Sequence, residues 1–152
     1  MNFCVKILCV GKIKEDFYRA KLEEYRKSIN KRVPFEIIEL SDESIPANPN
    51  QSIMDKIKEK EGDKLLESIN SRDFVVALCI EGKSTELQGM KKLIERARDN
   101  QNTSIIFVIG GSLGLDDRVI KRANYKLSFS NMTFPHQLMR VMLGEQIQKA
   151  VE

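Results

Sequence analysis

Three short, almost unbroken apolar runs constrain the fold of this chain more than any other feature: residues 3–10, 74–80 and 105–109. A strand with one face in water alternates apolar and polar side chains. A strand that is apolar at successive positions must be covered on both faces, as in a parallel sheet sandwiched between helices. The segments between the runs supply those helices. Tyr18, Leu22, Tyr25 and Ile29 recur at i, i+4, i+7 and i+11 and predict one face of a helix over 14–30. Ile57, Leu65, Leu66 and Ile69 give the apolar side of a highly charged helix over 53–69, in which Gly62 is a weak point. Leu87, Met90, Leu93, Ile94 and Ala97 mark a helix ending near Asp99, with Thr85 and Gln88 spaced as a capping box at its start. Shorter strands are predicted at 35–40 and 125–129, a short helix at 116–123 and a final helix at 136–150, with a Pro- and Asn-bearing loop over 41–52.

The predicted order is βαβαβαβαβα, which makes the fold class α/β with a parallel sheet flanked by helices. The 152 residues suit a single domain, and 41% apolar with 31% charged residues fits a globular chain. No apolar run approaches the roughly 20 residues needed to cross a bilayer. Lys6 interrupts the first run, so a cleaved leader is not expected either. Cys4, Cys9 and Cys79 form no C-x-x-C pair and all lie in strand-like runs. They read as three reduced, buried thiols of a cytoplasmic protein rather than a metal or redox site.

The net charge of +3 says less than its distribution. Residues 118–149 hold six bases (Arg118, Lys121, Arg122, Lys126, Arg140 and Lys149) against one acid, Glu145, while the remainder is slightly acidic. A local positive field suits a polyanion such as nucleic acid. A basic but merely solvated helix is the alternative.

Ligands on an open α/β sheet bind beyond the carboxyl ends of the strands. Three such ends are informative: Leu78-Cys79-Ile80-Glu81-Gly82-Lys83, Ile109-Gly110-Gly111-Ser112-Leu113-Gly114, and the stretch from Ser128 to His136. Together they offer one pocket. The glycine loop allows close backbone approach. It lacks both the Walker A ending and the G-x-G-x-x-G spacing, so a phosphate cradle and a bare turn stay open. His136, the only histidine, follows Pro135 at a helix start and is either a general base or a packing residue. Arg140 lies one turn further on the same helical face. A single histidine without Cys or carboxylate at ligand spacing argues against a metal.

The loop Gly110-Gly111-Ser112-x-Gly114, the block Leu127-Ser128-Phe129-Ser130-x-Met132-Thr133-Phe134-Pro135-His136-Gln137-Leu138-Met139-Arg140 and the pair Glu145-Gln146 closely resemble the RlmH family. These are the ribosomal large-subunit pseudouridine N3-methyltransferases of the SPOUT superfamily. Lys6-Ile7-Leu8-x-Val10-Gly11-Lys12-x-Lys14, Lys58-x-Lys60-Glu61-Gly62 and Ile80-x-Gly82-Lys83 fit as well, so the resemblance runs almost end to end.

The resemblance implies a SPOUT fold over 1–152 whose C-terminal part, about 73–152, is threaded into a trefoil knot, and a homodimer that buries this region. It implies bound S-adenosyl-L-methionine, held by Leu78, Ile80 and Gly82, by Gly110 and Gly111, and by Phe129, Ser130, Asn131, Met132, Thr133 and Phe134. The implied substrate is a pseudouridine of 23S rRNA within the assembled ribosome, with the basic segment against phosphates and no membrane involved. His136 and Arg140 are the implied catalytic pair. Arg140 would hold a phosphate or base oxygen, and His136 would position the base or accept the N3 proton. The family commonly ends in a tail with a Tyr-His pair and has Tyr-Arg where this sequence has Gln148-Lys149. This sequence ends at Ala150-Val151-Glu152, so the competing expectation is a catalytically impaired homologue that still binds RNA or the ribosome.

Overall fold

A computed structural model describes residues 3–84, 87–129 and 136–152. The elements in chain order are β1 (Cys4–Val10), α1 (Asp16–Asn30), β2 (Phe35–Leu40), α2 (Gln51–Glu67), β3 (Asp73–Ser84), α3 (Leu87–Asp99), β4 (Ser104–Ile109), α4 (Asp117–Arg122), β5 (Tyr125–Ser128) and α5 (His136–Val151). The strands form one sheet in the order β2-β1-β4-β3-β5, and the pairings are all parallel. The predicted alternation and the parallel sheet are therefore observed.

The continuous apolar runs have the anticipated cause. β4 is central, and each of its six residues is buried. Alternate side chains feed two cores. Val5, Ile7, Ile105, Phe107 and Val76 pack with Tyr25 and Ile29 of α1, Leu93 of α3 and Leu143 and Ile147 of α5. Leu8, Val10, Ile106, Val108 and Val75 pack on the other side with Leu65 of α2 and Val119 of α4. Each such side chain contributes about 1.5–3 kcal/mol relative to exposure, so a polar residue at any of positions 105–109 would cost one core or the other.

Local chemistry moves some boundaries. α2 starts two residues before the apolar period predicts, because the Asn50 side chain accepts the Ile53 N–H at 2.8 Å and caps the helix. Its buried stripe is Ile57, Glu61, Gly62 and Leu65, while Ile69 lies past its end. Gly62 is a contact point rather than a defect: a Cβ there would stand 2.5 Å from Asp116 Oδ2 and 2.8 Å from its Cβ. Asp116 is the N-cap of α4, so the glycine lets the two helices meet. β3 runs on to Ser84, beyond the predicted end at Glu81-Gly82. Leu78 and Lys83 both pair with Leu127, so the pairing skips 79–82 as a bulge. A Cβ on Gly82 would stand 2.6 Å from the Leu127 carbonyl carbon, so this glycine admits the neighbouring backbone instead of turning the chain away. The capping box at Thr85 lies outside the described residues. Of the three thiols only Cys9 is fully buried, against the expectation for all three; Cys4 and Cys79 are half-buried. Burial pushes the Cys9 thiol up to about 11. Among the described residues no helix is long and apolar enough to cross a membrane.

Candidate active site

β4, β3 and β5 are neighbours in the sheet and run in one direction. Ala77 pairs with Val108, and Leu78 with Leu127. Leu78, where the regular pairing of β3 breaks into its bulge, therefore stands beside the residues that follow β4 and β5, Gly110 and Phe129, at the carboxyl edge of the sheet. The structure thus brings together Leu78, Gly82, Gly110, Gly111 and Phe129 from the expected set. Leu78 is buried, and Phe129 is half-buried against the core. Ser130, Asn131, Met132, Thr133 and Phe134 lie outside the described residues, as do the side chains of Ile80 and His136. The backbone of His136 opens α5. The next residue, Gln137, accepts the Lys14 N–H at 3.0 Å and so fixes the first turn of α5 to the loop after β1.

The glycine loop is closed on itself. The Gly114 N–H donates to the Gly111 carbonyl at 3.0 Å, and Gly114 has φ +86°. A Cβ on Gly110 would stand 2.7 Å from the Gly114 carbonyl group, so glycine is required at 110 by the loop's own closure. A Cβ on Gly111 would meet the Glu61 carboxyl, with Oε1 at 3.0 Å. At these strand ends the space beyond Gly82 and Gly110 is filled by neighbouring main chain and that beyond Gly111 by the Glu61 carboxyl, so the missing side chains let the loops pack closely on the rest of the fold. Short, side-chain-poor loops of this kind leave peptide N–H and C=O groups as the polar groups available to a nucleoside.

Arg140 sits elsewhere. It is fully buried; Nη1 pairs with Glu39 Oε2 at 3.0 Å, and Nη2 donates to the Val10 carbonyl at 2.7 Å. The same Glu39 oxygen accepts the Ile13 N–H at 3.0 Å. The residue therefore ties α5 to the carboxyl ends of β1 and β2. The expected contact of Arg140 with a phosphate or base oxygen gives way to this internal clasp. Helical spacing aligns positions 136 and 140 but does not tell which of them the fold covers.

The other bases of the segment are held in different ways. Arg118 pairs with Asp63 at 2.9 Å and Asp116 at 2.6 Å and donates to the Glu59 carbonyl. Arg122 donates to the carbonyls of Asn70 and Asp73. Lys149 pairs with Glu145. Lys121 and Lys126 are exposed and have no ion pair among the described residues. Acids from outside the segment thus pair with two of its six bases, Arg118 and Arg140, while Arg122, Lys121 and Lys126 keep their charge without an acidic partner among the described residues.

Two acids among the described residues are buried without a sequence signal having been assigned to them, Asp73, whose Oδ1 accepts the Ser104 hydroxyl at 2.6 Å, and Glu61. Glu61 is only 5% exposed, and its Oε2 accepts the Glu43 N–H at 3.1 Å. Its Oε1 is buried with no hydrogen-bond partner among the described residues. Burial raises its pKa, opposed by the Glu43 N–H and by Lys64 and reinforced by the carboxylates of Asp42 and Glu43. Its position was readable: 57, 61 and 65 are spaced by four, which places a carboxyl on the buried stripe of α2.

A family model described as "Predicted SPOUT methyltransferase" matches residues 3–152. A protein of Clostridium botulinum (strain Kyoto / Type A2) named ribosomal RNA large subunit methyltransferase H is 51% identical over 146 residues, which are 96% of this chain and 92% of that protein. A protein of the same name from Clostridioides difficile (strain 630) is 46% identical over the same shares.

Proposed function

The chain belongs to the SPOUT methyltransferase family, and from that premise we propose that it transfers a methyl group from S-adenosylmethionine to large-subunit ribosomal RNA, at N3 of a pseudouridine of 23S rRNA within the assembled ribosome. The observation that carries this reading is that the β3 bulge at 79–82, the glycine loop after β4 and the residues after β5 lie next to one another at the carboxyl edge of the sheet. It stands in a chain half identical, over nearly its whole length, to a protein named for that class of reaction.

Leu78, Ile80 and Gly82, Gly110 and Gly111, and residues 129–134 are the groups that would hold the cofactor. When bound, S-adenosylmethionine supplies a methyl group on a sulfonium, an electrophile open to in-line attack. The chain's task is to align the attacking nitrogen and to remove its proton. His136, first residue of α5, is assigned to positioning the base or accepting the N3 proton. Arg140 is assigned to holding α5 in place for that role. In the knotted arrangement implied by the family, residues from about 73 onward form the threaded part. Leu138 and Met142, half-buried and four apart on α5, offer an apolar stripe to a second copy of the chain. The enzyme would work in the cytoplasm, where ribosomes are available to it.

The test is nucleoside analysis. Ribosomes lacking the modification are incubated with the protein and S-adenosylmethionine, and their RNA is digested. N3-methylpseudouridine in the large-subunit RNA is the expected product. Methyl groups on another nucleoside, or none from a folded protein that binds the cofactor, would overturn the proposal.

A further inference from the structure

Glu61 and Asp73 are the two buried acids among the described residues; Asp73 accepts the Ser104 hydroxyl and the Asn70 N–H, whereas Glu61 keeps one carboxyl oxygen unbonded. Its α2 stripe faces the carboxyl edge of the sheet, and its carboxyl touches two loops there. On one side Oε2 anchors the loop after β2 through the Glu43 N–H. On the other side Oε1 lies where a side chain on Gly111 would begin, and the three heavy atoms nearest to that position all belong to Glu61. The loop after β2 is further pinned by Lys64, which donates to the Ser41 carbonyl at 3.0 Å and pairs with Glu43 at 3.3 Å. The carboxyl is thus a wedge between a fixed loop and the glycine loop. A wedge with one oxygen unbonded is costly to keep if packing alone is needed, since an apolar side chain of the same size would carry no desolvation penalty.

We propose that Glu61 is a positioning residue for cofactor binding, acting through Gly111: the carboxyl, braced by the Glu43 N–H, sets where the glycine loop stands. The inference rests on the reading of Gly110 and Gly111 as a cofactor loop. It also gives a reason for glycine at 111: a Cβ there would push on the carboxyl, with Oε1 at 3.0 Å, and shift it or the loop by a few tenths of an ångström.

A double-mutant cycle on the affinity for S-adenosylhomocysteine, measured by titration calorimetry on the full chain, tests the coupling. Gly111→Ala forces a Cβ against Oε1 and should weaken binding about tenfold, while Glu61→Ala removes the wedge and should weaken it by a similar factor. In the double variant the added methyl enters the space the carboxyl has left. The affinity should then be about that of a single variant rather than ~100-fold below the starting protein. Glu61→Gln keeps the wedge, so Gly111→Ala should cost as much in that background as in the unmodified chain. This second arm serves if Glu61→Ala fails to fold. Independent, multiplicative losses in the Ala cycle, or relief of Gly111→Ala by Glu61→Gln, would overturn the inference. Melting temperatures of the four proteins separate affinity from general stability: a purely structural role moves the melting temperature and leaves affinity uncoupled. Absence of binding by the unmodified chain would instead overturn the cofactor reading beneath it.

Discussion

Replacing Arg140 by Met retains most of the apolar stem and deletes the guanidinium. Two contacts disappear. The Val10 carbonyl loses a donor at 2.7 Å in a fully buried place, and Glu39 loses an ionic partner at 3.0 Å. An orphaned buried carbonyl costs about 1–3 kcal/mol. Glu39 contributes less, because its side chain is 25% exposed and keeps the Ile13 N–H. Breaking a buried pair by removing one partner costs about 3–5 kcal/mol in general, and the partial exposure of Glu39 places this case at the lower end, near 3 kcal/mol. For a chain of this length that is a fall in melting temperature of roughly 6–12 °C. Urea unfolding followed by circular dichroism would measure it. Glu39→Gln should couple to Arg140→Met, the two losses summing to more than the double variant shows. A stability change under about 1 kcal/mol, or additive losses, would refute the clasp. Stability untouched while ribosome binding falls would instead restore Arg140 as a surface contact.

Other consequences follow from single contacts. Gly62→Ala should destabilise despite gaining up to about 1 kcal/mol of helix propensity, because its Cβ would stand 2.5 Å from Asp116 Oδ2; urea midpoints should show the loss shrinking in an Asp116→Ala background. The Glu61 pKa is raised above 4.5 in the folded chain by burial, so the native state binds more protons than the unfolded one as pH rises past that value. Facing Asp42, Glu43 and Lys64, the group therefore costs stability progressively with rising pH. Glu61→Gln should gain stability relative to the unmodified protein as pH rises above about 4.5, and a pH-independent difference would contradict this. Cys9, with its thiol near 11, should resist alkylation at neutral pH until the chain is unfolded, as mass spectrometry of labelled peptides would report.

The architecture was legible because burial on both faces leaves a mark in the interior strands: β1, β3 and β4 carry continuous apolar runs, whereas the edge strands β2 and β5 do not. The ends of β1 and β4 were legible as well, since Gly11 and Gly110 stand where those runs stop. What composition could not show was pairing between distant residues. Arg140 counted as a surface base until Glu39, 101 positions away, was seen beside it. Arg118 counted likewise until Asp63 was seen to face it. Gly82 read as a stop because its local signal is a turn, whereas the backbone of β5 passes at the distance a Cβ would need. Glu61 was hidden by its own chemistry, because a glutamate in a charged helix reads as solvated unless the stripe at 57, 61 and 65 is followed across the whole helix.

The most direct test of the account is where the cofactor sits. Amide resonances of the isotope-labelled protein, titrated with S-adenosylhomocysteine, should shift at 78–82, at 110–114 and from 127 to the start of α5, the three neighbouring strand ends. Shifts confined to the carboxyl ends of β1 and β2, around Val10 and Glu39, or no shift at saturating ligand, would contradict it.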